Sequence, residues 1–294
     1  MAGSFCPVAD GVAFVPRFPF VDGETYALCV DGVVAATLLR PVVAGTPSTE
    51  VVAIHPSGDE VPLNLLRIYV HFSAPMSEGF AASSVRMLAA KTGEELAGTF
   101  LRMEPELWDR EHRRLTVFLD PARIKRGLVP HLESGYPLAE GAEVDFAVGD
   151  SFRDAAGLPL ISGAMHRYRV GGAVRARINT DEWSVAAPRA GTCDPLSITF
   201  DRPLDHGLLQ RCLSVEDSSG KKVGGRAGIE KCERRWMFAP AKPWDAQTLR
   251  VVVDTALEDV AGNALTHVFD RDLTNPTHDP IDAQTVAIDF TCAK

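Results

Sequence analysis

The sequence predicts an all-β chain: two β-sandwiches in tandem behind an additional N-terminal β segment. Three observations predict it. Short stretches alternate apolar and polar residues and stop at glycine, proline or asparagine, the pattern of half-buried strands between turns. One such stretch occurs twice, as Leu66-Arg-Ile-Tyr-Val-His-Phe72-Ser-Ala-Pro75-Met76 and as Leu196-Ser-Ile-Thr-Phe200-Asp-Arg-Pro203-Leu204. The spacing of turn residues downstream of each copy also recurs: Pro75 returns at Pro203 after 128 residues, and Gly93 and Gly98 return at Gly220 and Gly225 after 127. A length of 294 residues suits about two domains.

Residues 1–47 carry a partial β repeat. Gly11 to Phe20, a turn at Asp22-Gly23 and Thr25 to Val30 match the later Arg235 to Trp244 and Thr248 to Asp254. They are the back half of a unit without its front half. Such strand edges need partners, and residues 10–38 are expected to pair with the strand at 285–290 or to dock on the first unit. Pro41 and Gly45 to Ser48 form a linker.

Residues 48–171 form the first full unit. Strands are predicted at Val51–Ile54, Leu66–Phe72, Val85–Ala89, Leu115–Phe118, Val144–Val148 and His166–Val170, with a turn at Asp154-Ala-Ala-Gly157 before the last. Residues 172–294 repeat the plan, through Leu213–Val215, Trp236–Phe238 and Leu249–Val253. Here Asp259-Val-Ala-Gly262-Asn263 matches the Asp154 turn, Val268-Phe269 closes the unit, and Thr285–Phe290 is one more strand. Helical periodicity is almost absent; Gly207 to Leu213 suits one turn. Gly157 to Gly262 spans only 105 residues, so the first unit is longer by 22, and the excess is an inserted loop at 121–137. About seven short strands per unit, each burying one face, make two stacked sheets.

Phe200-Asp-Arg-Pro203-Leu204, Ser219-Gly220, Phe238-Ala-Pro240 and Glu258-Asp259-Val-Ala-Gly262-Asn263-Ala-Leu265 together resemble the bacterial Ig-like domain of S-layer proteins. In the first unit Phe72-Ser-Ala-Pro75-Met76 fits that pattern, while Asp154-Ala-Ala-Gly157-Leu158 lacks the final asparagine. The resemblance covers roughly residues 50–270. It implies tandem Ig-like β-sandwiches, acting as spacers or adhesion modules in the cell envelope or in secreted proteins. It brings no family-wide catalytic residues. The Asp–Gly–Asn turn satisfies its own polar groups, since aspartate bonds the backbone N–H groups ahead and glycine accepts positive φ; calcium would need more oxygens than it offers.

Composition narrows the function. With 46% hydrophobic and 23% charged residues the chain is ordinary for a globular protein. A formal net charge of -9 argues against nucleic acid as partner. No apolar run approaches the ~18 residues of a membrane span, and Met1 to Phe20 carries no signal-peptide pattern. The chain either stays inside the cell or is a form whose leader is absent. The six cysteines show no C-x-x-C or zinc-like pairing and are predicted to be buried free thiols, with a Cys212–Cys232 bridge left open. The eight histidines are isolated in sequence, so no metal site and no cofactor is expected.

Two places suit chemistry. The inserted loop holds Arg123, Lys125, Arg126, His131 and Tyr136, with Trp108 near in sequence, a set of forks and rings suited to an anionic, sugar or protein surface. The strand corners hold His71, Glu78, Asp205 and His206, where a histidine and a carboxylate could do acid–base work. No nucleophile motif such as G-x-S-x-G accompanies them. The reading favoured is therefore a non-enzymatic structural or interaction module. A hydrolase with its site in the cleft between units near 121–137, and a carbohydrate-binding module using Trp108 and Trp244, are the alternatives. A protein or glycan surface is the partner class.

Overall fold

The computed structural model describes residues 3–17, 20–41, 45–245 and 248–293. Phe18 and Pro19, part of the N-terminal repeat reading, lie outside them.

The chain opens with two separate hairpins, β1 (Gly3–Val8) with β2 (Gly11–Pro16), and β3 (Thr25–Val30) with β4 (Val33–Leu39). In the second, Asp31 at φ 52° and Gly32 at φ 78° make the left-handed two-residue turn that matches strand twist. This corrects the half-repeat expectation. The segments that β2 and β3 resemble lie in opposite sheets of one sandwich, whereas β2 and β3 each pair with their own neighbour, because tight turns close both hairpins locally. The 285–290 strand is not their partner either, since it pairs with β18; the other expectation, docking on the first unit, is met where Asp22 lies against Gly157. Phe5, Leu28, Val33, Val34 and Leu39 consequently stay exposed.

The first sandwich comprises β5 (Val51–His55), β6 (Glu60–Pro62), β7 (Arg67–Phe72), helix α1 (Ala81–Ser84), β8 (Val85–Ala89), β9 (Leu107–Trp108), β10 (Arg114–Phe118), helices α2 (Pro121–Ile124) and α3 (Val129–Ser134), β11 (Glu143–Val148) and β12 (Ala164–Gly171). Its sheets run β5-β7-β10-β9 and β6-β12-β11-β8, with β6 parallel to β12. Alternation decides which side chains enter. Ile68, Val70 and Phe72 of β7 and Leu115 and Val117 of β10 meet Val144, Phe146, Val148, Tyr168 and Val170 from the other sheet in one core. Each fully buried side chain of this kind contributes about 1.5–3 kcal/mol.

The second sandwich comprises β13 (Ser184–Ala186), β14 (Leu196–Thr199), helix α4 (His206–Leu209), β15 (Leu213–Glu216), β16 (Gly225–Glu230), β17 (Arg235–Pro240), β18 (Thr248–Asp254) and β19 (Thr285–Thr291). Its sheets run β13-β14-β17-β16 and β15-β18-β19. With the short extra strand β6 left out of the count, both sandwiches place their first, second, fifth and fourth strands in one layer and the third, sixth and seventh in the other, the Ig-like arrangement. The closing strand differs from expectation. Val268-Phe269 is not a strand, and β19 takes that place beside β18. Val268 is buried, and Phe269 packs instead against the first core, so the expected closing strand became part of the joint.

The two matched turns form alike. Asp154 Oδ1 accepts Ala156 N at 2.9 Å and Leu158 N at 3.0 Å; Asp259 Oδ1 accepts Ala261 N and Asn263 N, both at 2.9 Å. Gly157 and Gly262 carry φ of 82° and 83°. All six cysteines are free, so the Cys212–Cys232 bridge is absent. Only Cys212 and Cys292 are buried, and Cys29, expected inside, lies on an exposed hairpin.

Candidate functional site

The sandwiches meet at a buried polar seam, and alternation along β7 builds one side of it. While Ile68, Val70 and Phe72 face the core, Arg67, Tyr69 and His71 face the second sandwich. His55 ends β5 directly opposite Tyr69, so it shares that face. The other side comes from two corners of the second sandwich. Asp205 caps α4 by accepting Leu208 N at 2.8 Å, which presents His206 in the first helical position. The β16–β17 turn holds Lys231, Cys232 and Glu233 in succession at φ of 50°, 54° and 61°, a left-handed run that costs roughly 1–2 kcal/mol per residue. This turn delivers Glu233 into the joint.

Glu233 is 2% exposed. Its carboxylate accepts His55 Nδ1 at 2.7 Å, Ser57 N at 2.9 Å and Ser57 Oγ at 2.8 Å, all from the first sandwich. His206 Nδ1 lies 3.5 Å from the same carboxylate, an electrostatic contact at the edge of hydrogen-bonding range. Burial alone would push the Glu233 carboxyl up; the close approach of His206 and the bonds from His55 and Ser57 outweigh it and hold the group well below the usual carboxylate range. Beside it, Tyr69 donates its hydroxyl to Asp205 at 2.8 Å, and Arg67 Nε meets Asp205 at 2.9 Å while its other arm pairs with Glu258. Burial, then the Asp205 charge, drives the Tyr69 hydroxyl upward.

Three imidazoles converge here. His55 and His206 stack with centroids 3.5 Å apart and planes 18° apart, and His71 stands edge-on to both at 5.3 and 5.7 Å. Burial, with His55 and His206 alongside, pushes His71 down to about 4, so its ring is neutral at neutral pH. The gap lined by Pro56, Arg67, Tyr69, Asp205 and His206 is only about 10 Å³, room for one water at most.

Of the four corner residues picked from sequence, His71, Asp205 and His206 come together and Glu78 does not. Glu78 lines a cleft of about 840 Å³ between the first sandwich and the N-terminal segment, with Arg17 and Tyr26. His55 and Glu233 were not picked. They are 178 residues apart, and no local motif joins them; the one available signal was the outward run Arg67, Tyr69, His71, too aromatic for a purely solvated face.

The inserted-loop residues named from the sequence make contacts within the protein. Arg123 donates to the carbonyls of Gly98, Ser134, Gly135 and Tyr136, and His131 Nδ1 meets the Arg123 carbonyl, so both fold the loop. The loop contains α2 and α3, started by Asp120 capping Ala122 N at 2.9 Å. Lys125 sits 4.5 Å over the Phe269 ring. Arg126 Nε binds Asp270 at 2.6 Å, and Tyr136 accepts from Arg175, which also reaches Asp270 at 3.1 Å. The insert thus straps the first sandwich to residues 269–270. Trp108 lies away from it, stacked on His112, with its Nε1 on Glu106 at 2.9 Å. Trp183, Trp236 and Trp244 are buried.

No family model matches this chain, and no curated protein matches it. Among solved structures, native alpha-2-macroglobulin from Escherichia coli, spanning domains MG0-NIE-MG1, is 9% identical, with 83% of this chain and 71% of that chain covered and a TM-score of 0.27. The titin domains z1z2 in complex with telethonin are 8% identical, with 64% of this chain and 79% of that chain covered and a TM-score of 0.19. Superpositions this loose carry no argument; the Ig-like assignment stands on the strand order.

Proposed function

We propose that this chain is a non-enzymatic, rigid head-to-tail Ig-like module with a structural and interaction role in a bacterial cell-envelope or secreted protein. The observation that carries the role is that each sandwich offers the same corner to whatever precedes it. The second sandwich seats the first against His206 and against Gly262, where an added Cβ would lie 2.5 Å from Leu66. The first sandwich meets the N-terminal segment at the equivalent Glu78 and at Gly157, where an added Cβ would lie 3.1 Å from Asp22 N. Beside Asp205 and His206 the seam leaves only about 10 Å³, which suits a fixed angle, while a larger gap of about 140 Å³ opens at its edge between Glu60, Pro62, Arg202 and Arg234. The envelope or secreted setting rests on the motif resemblance.

Residual dipolar couplings on the full chain test the role. One alignment tensor is expected to fit both sandwiches. Two tensors of unequal magnitude, showing independent tumbling, would overturn a rigid-spacer role.

A further inference from the structure

We propose that His55, His71 and His206 form a binding site for one divalent first-row transition ion, typified by zinc, which bridges the two sandwiches. One ligand atom from each ring lies within 4.8 Å of the others. Tetrahedral zinc–nitrogen bonds of about 2.0–2.1 Å need closer donors, so loading draws the rings inward by a modest shift and tilts His206 off the face of His55. Two ligands belong to the outer face of the first sandwich and the third to α4 of the second.

Three features fit an ion better than they fit packing. Stacking accounts for the approach of His55 to His206, but not for His71, whose Nε2 is buried without a hydrogen-bond partner. Glu233 accepts a hydrogen bond from Nδ1–H of His55, a tautomer that leaves the Nε2 lone pair for a metal, the support that carboxylates give to histidine ligands. Its negative charge also counters the Arg114 guanidinium, which sits opposite His71 across β7 and β10. Imidazole nitrogens with a carboxylate behind them select zinc, cobalt, nickel or copper over calcium or magnesium.

The experiment titrates metal-free full-length protein with zinc by calorimetry and with cobalt by visible absorption. One ion per chain is expected, with a raised Tm and a cobalt spectrum free of thiolate charge-transfer bands. His71→Ala and His206→Gln should each abolish the one-to-one site while far-UV circular dichroism stays unchanged, and Glu233→Gln should weaken it by about 10–100-fold. Cys232→Ser should bind as the parent does. Absence of binding, binding that survives both histidine variants with the fold intact, or a thiolate band lost in Cys232→Ser would each overturn the site, the last assigning the ion to exposed thiols only. If His71→Ala fails to fold, His206→Gln decides, because its ring sits on the short corner helix.

Discussion

Replacing Glu233 with alanine should weaken the protein more than any other single change at the joint. The carboxylate is 2% exposed and receives three donors from the first sandwich: His55 Nδ1, Ser57 N and Ser57 Oγ, at 2.7 to 2.9 Å. Hydrogen bonds to a charged group are worth roughly 1.5–3 kcal/mol each. Here they are not additive, since the Ser57 hydroxyl can turn to another acceptor. The Ser57 amide cannot turn, and the left-handed run at 231–233 keeps its strain after the reward is gone. The expected loss is about 3–5 kcal/mol, the usual cost of removing one partner from a buried ionic group. That is a large part of the roughly 5–15 kcal/mol that holds a domain. Urea unfolding of chelator-treated protein measures it, by tryptophan fluorescence and far-UV circular dichroism together. Three of the four tryptophans lie in the second core, so fluorescence reports mainly that sandwich. The parent should show coincident transitions; Glu233→Ala should lower the midpoint and separate the two probes as the joint opens first. A change below about 1 kcal/mol with coincident curves would refute the idea that this carboxylate locks the sandwiches.

Two further outcomes are expected. Gly262→Ala, which combines φ of 83° with a Cβ 2.5 Å from Leu66, should cost about 2–3 kcal/mol in chemical denaturation, clearly more than Gly93→Ala, where φ is 73° and the added carbon meets open space. Amide exchange should be faster in β3 and β4 than in β7 or β18, because two-stranded sheets with exposed faces open locally at little cost; equal protection would show that the hairpins are covered.

Strand positions were legible because alternation and turn chemistry are local. The Asp154 and Asp259 turns form as their residues require, each aspartate bonding the amides ahead of it. The closing strand of the second unit was misplaced because Val268-Phe269 looks like a strand in isolation, while the choice between it and β19 is made by the first sandwich, whose core takes Phe269. The pairing of the N-terminal hairpins is less legible: residues 11–30 resemble distant segments, while the tight turn at Asp31-Gly32 pairs β3 with β4. At the joint, His71 and His206 stood out by strand face and corner position. His55 and Glu233 become neighbours only through docking of two bodies. Cations at 123–126 signal binding in sequence, yet carbonyls and Asp270 engage Arg123 and Arg126, which only the tertiary structure reveals.

Because both seats use the same corner, the hairpins, the first sandwich and the second follow one another head to tail. Pulled from its two ends, the chain loads these seats in series. The filled seat at Glu233 would resist, and the roomy one beside Glu78 would yield first, so extension would begin at the N-terminal hairpins and spare the sandwich pair.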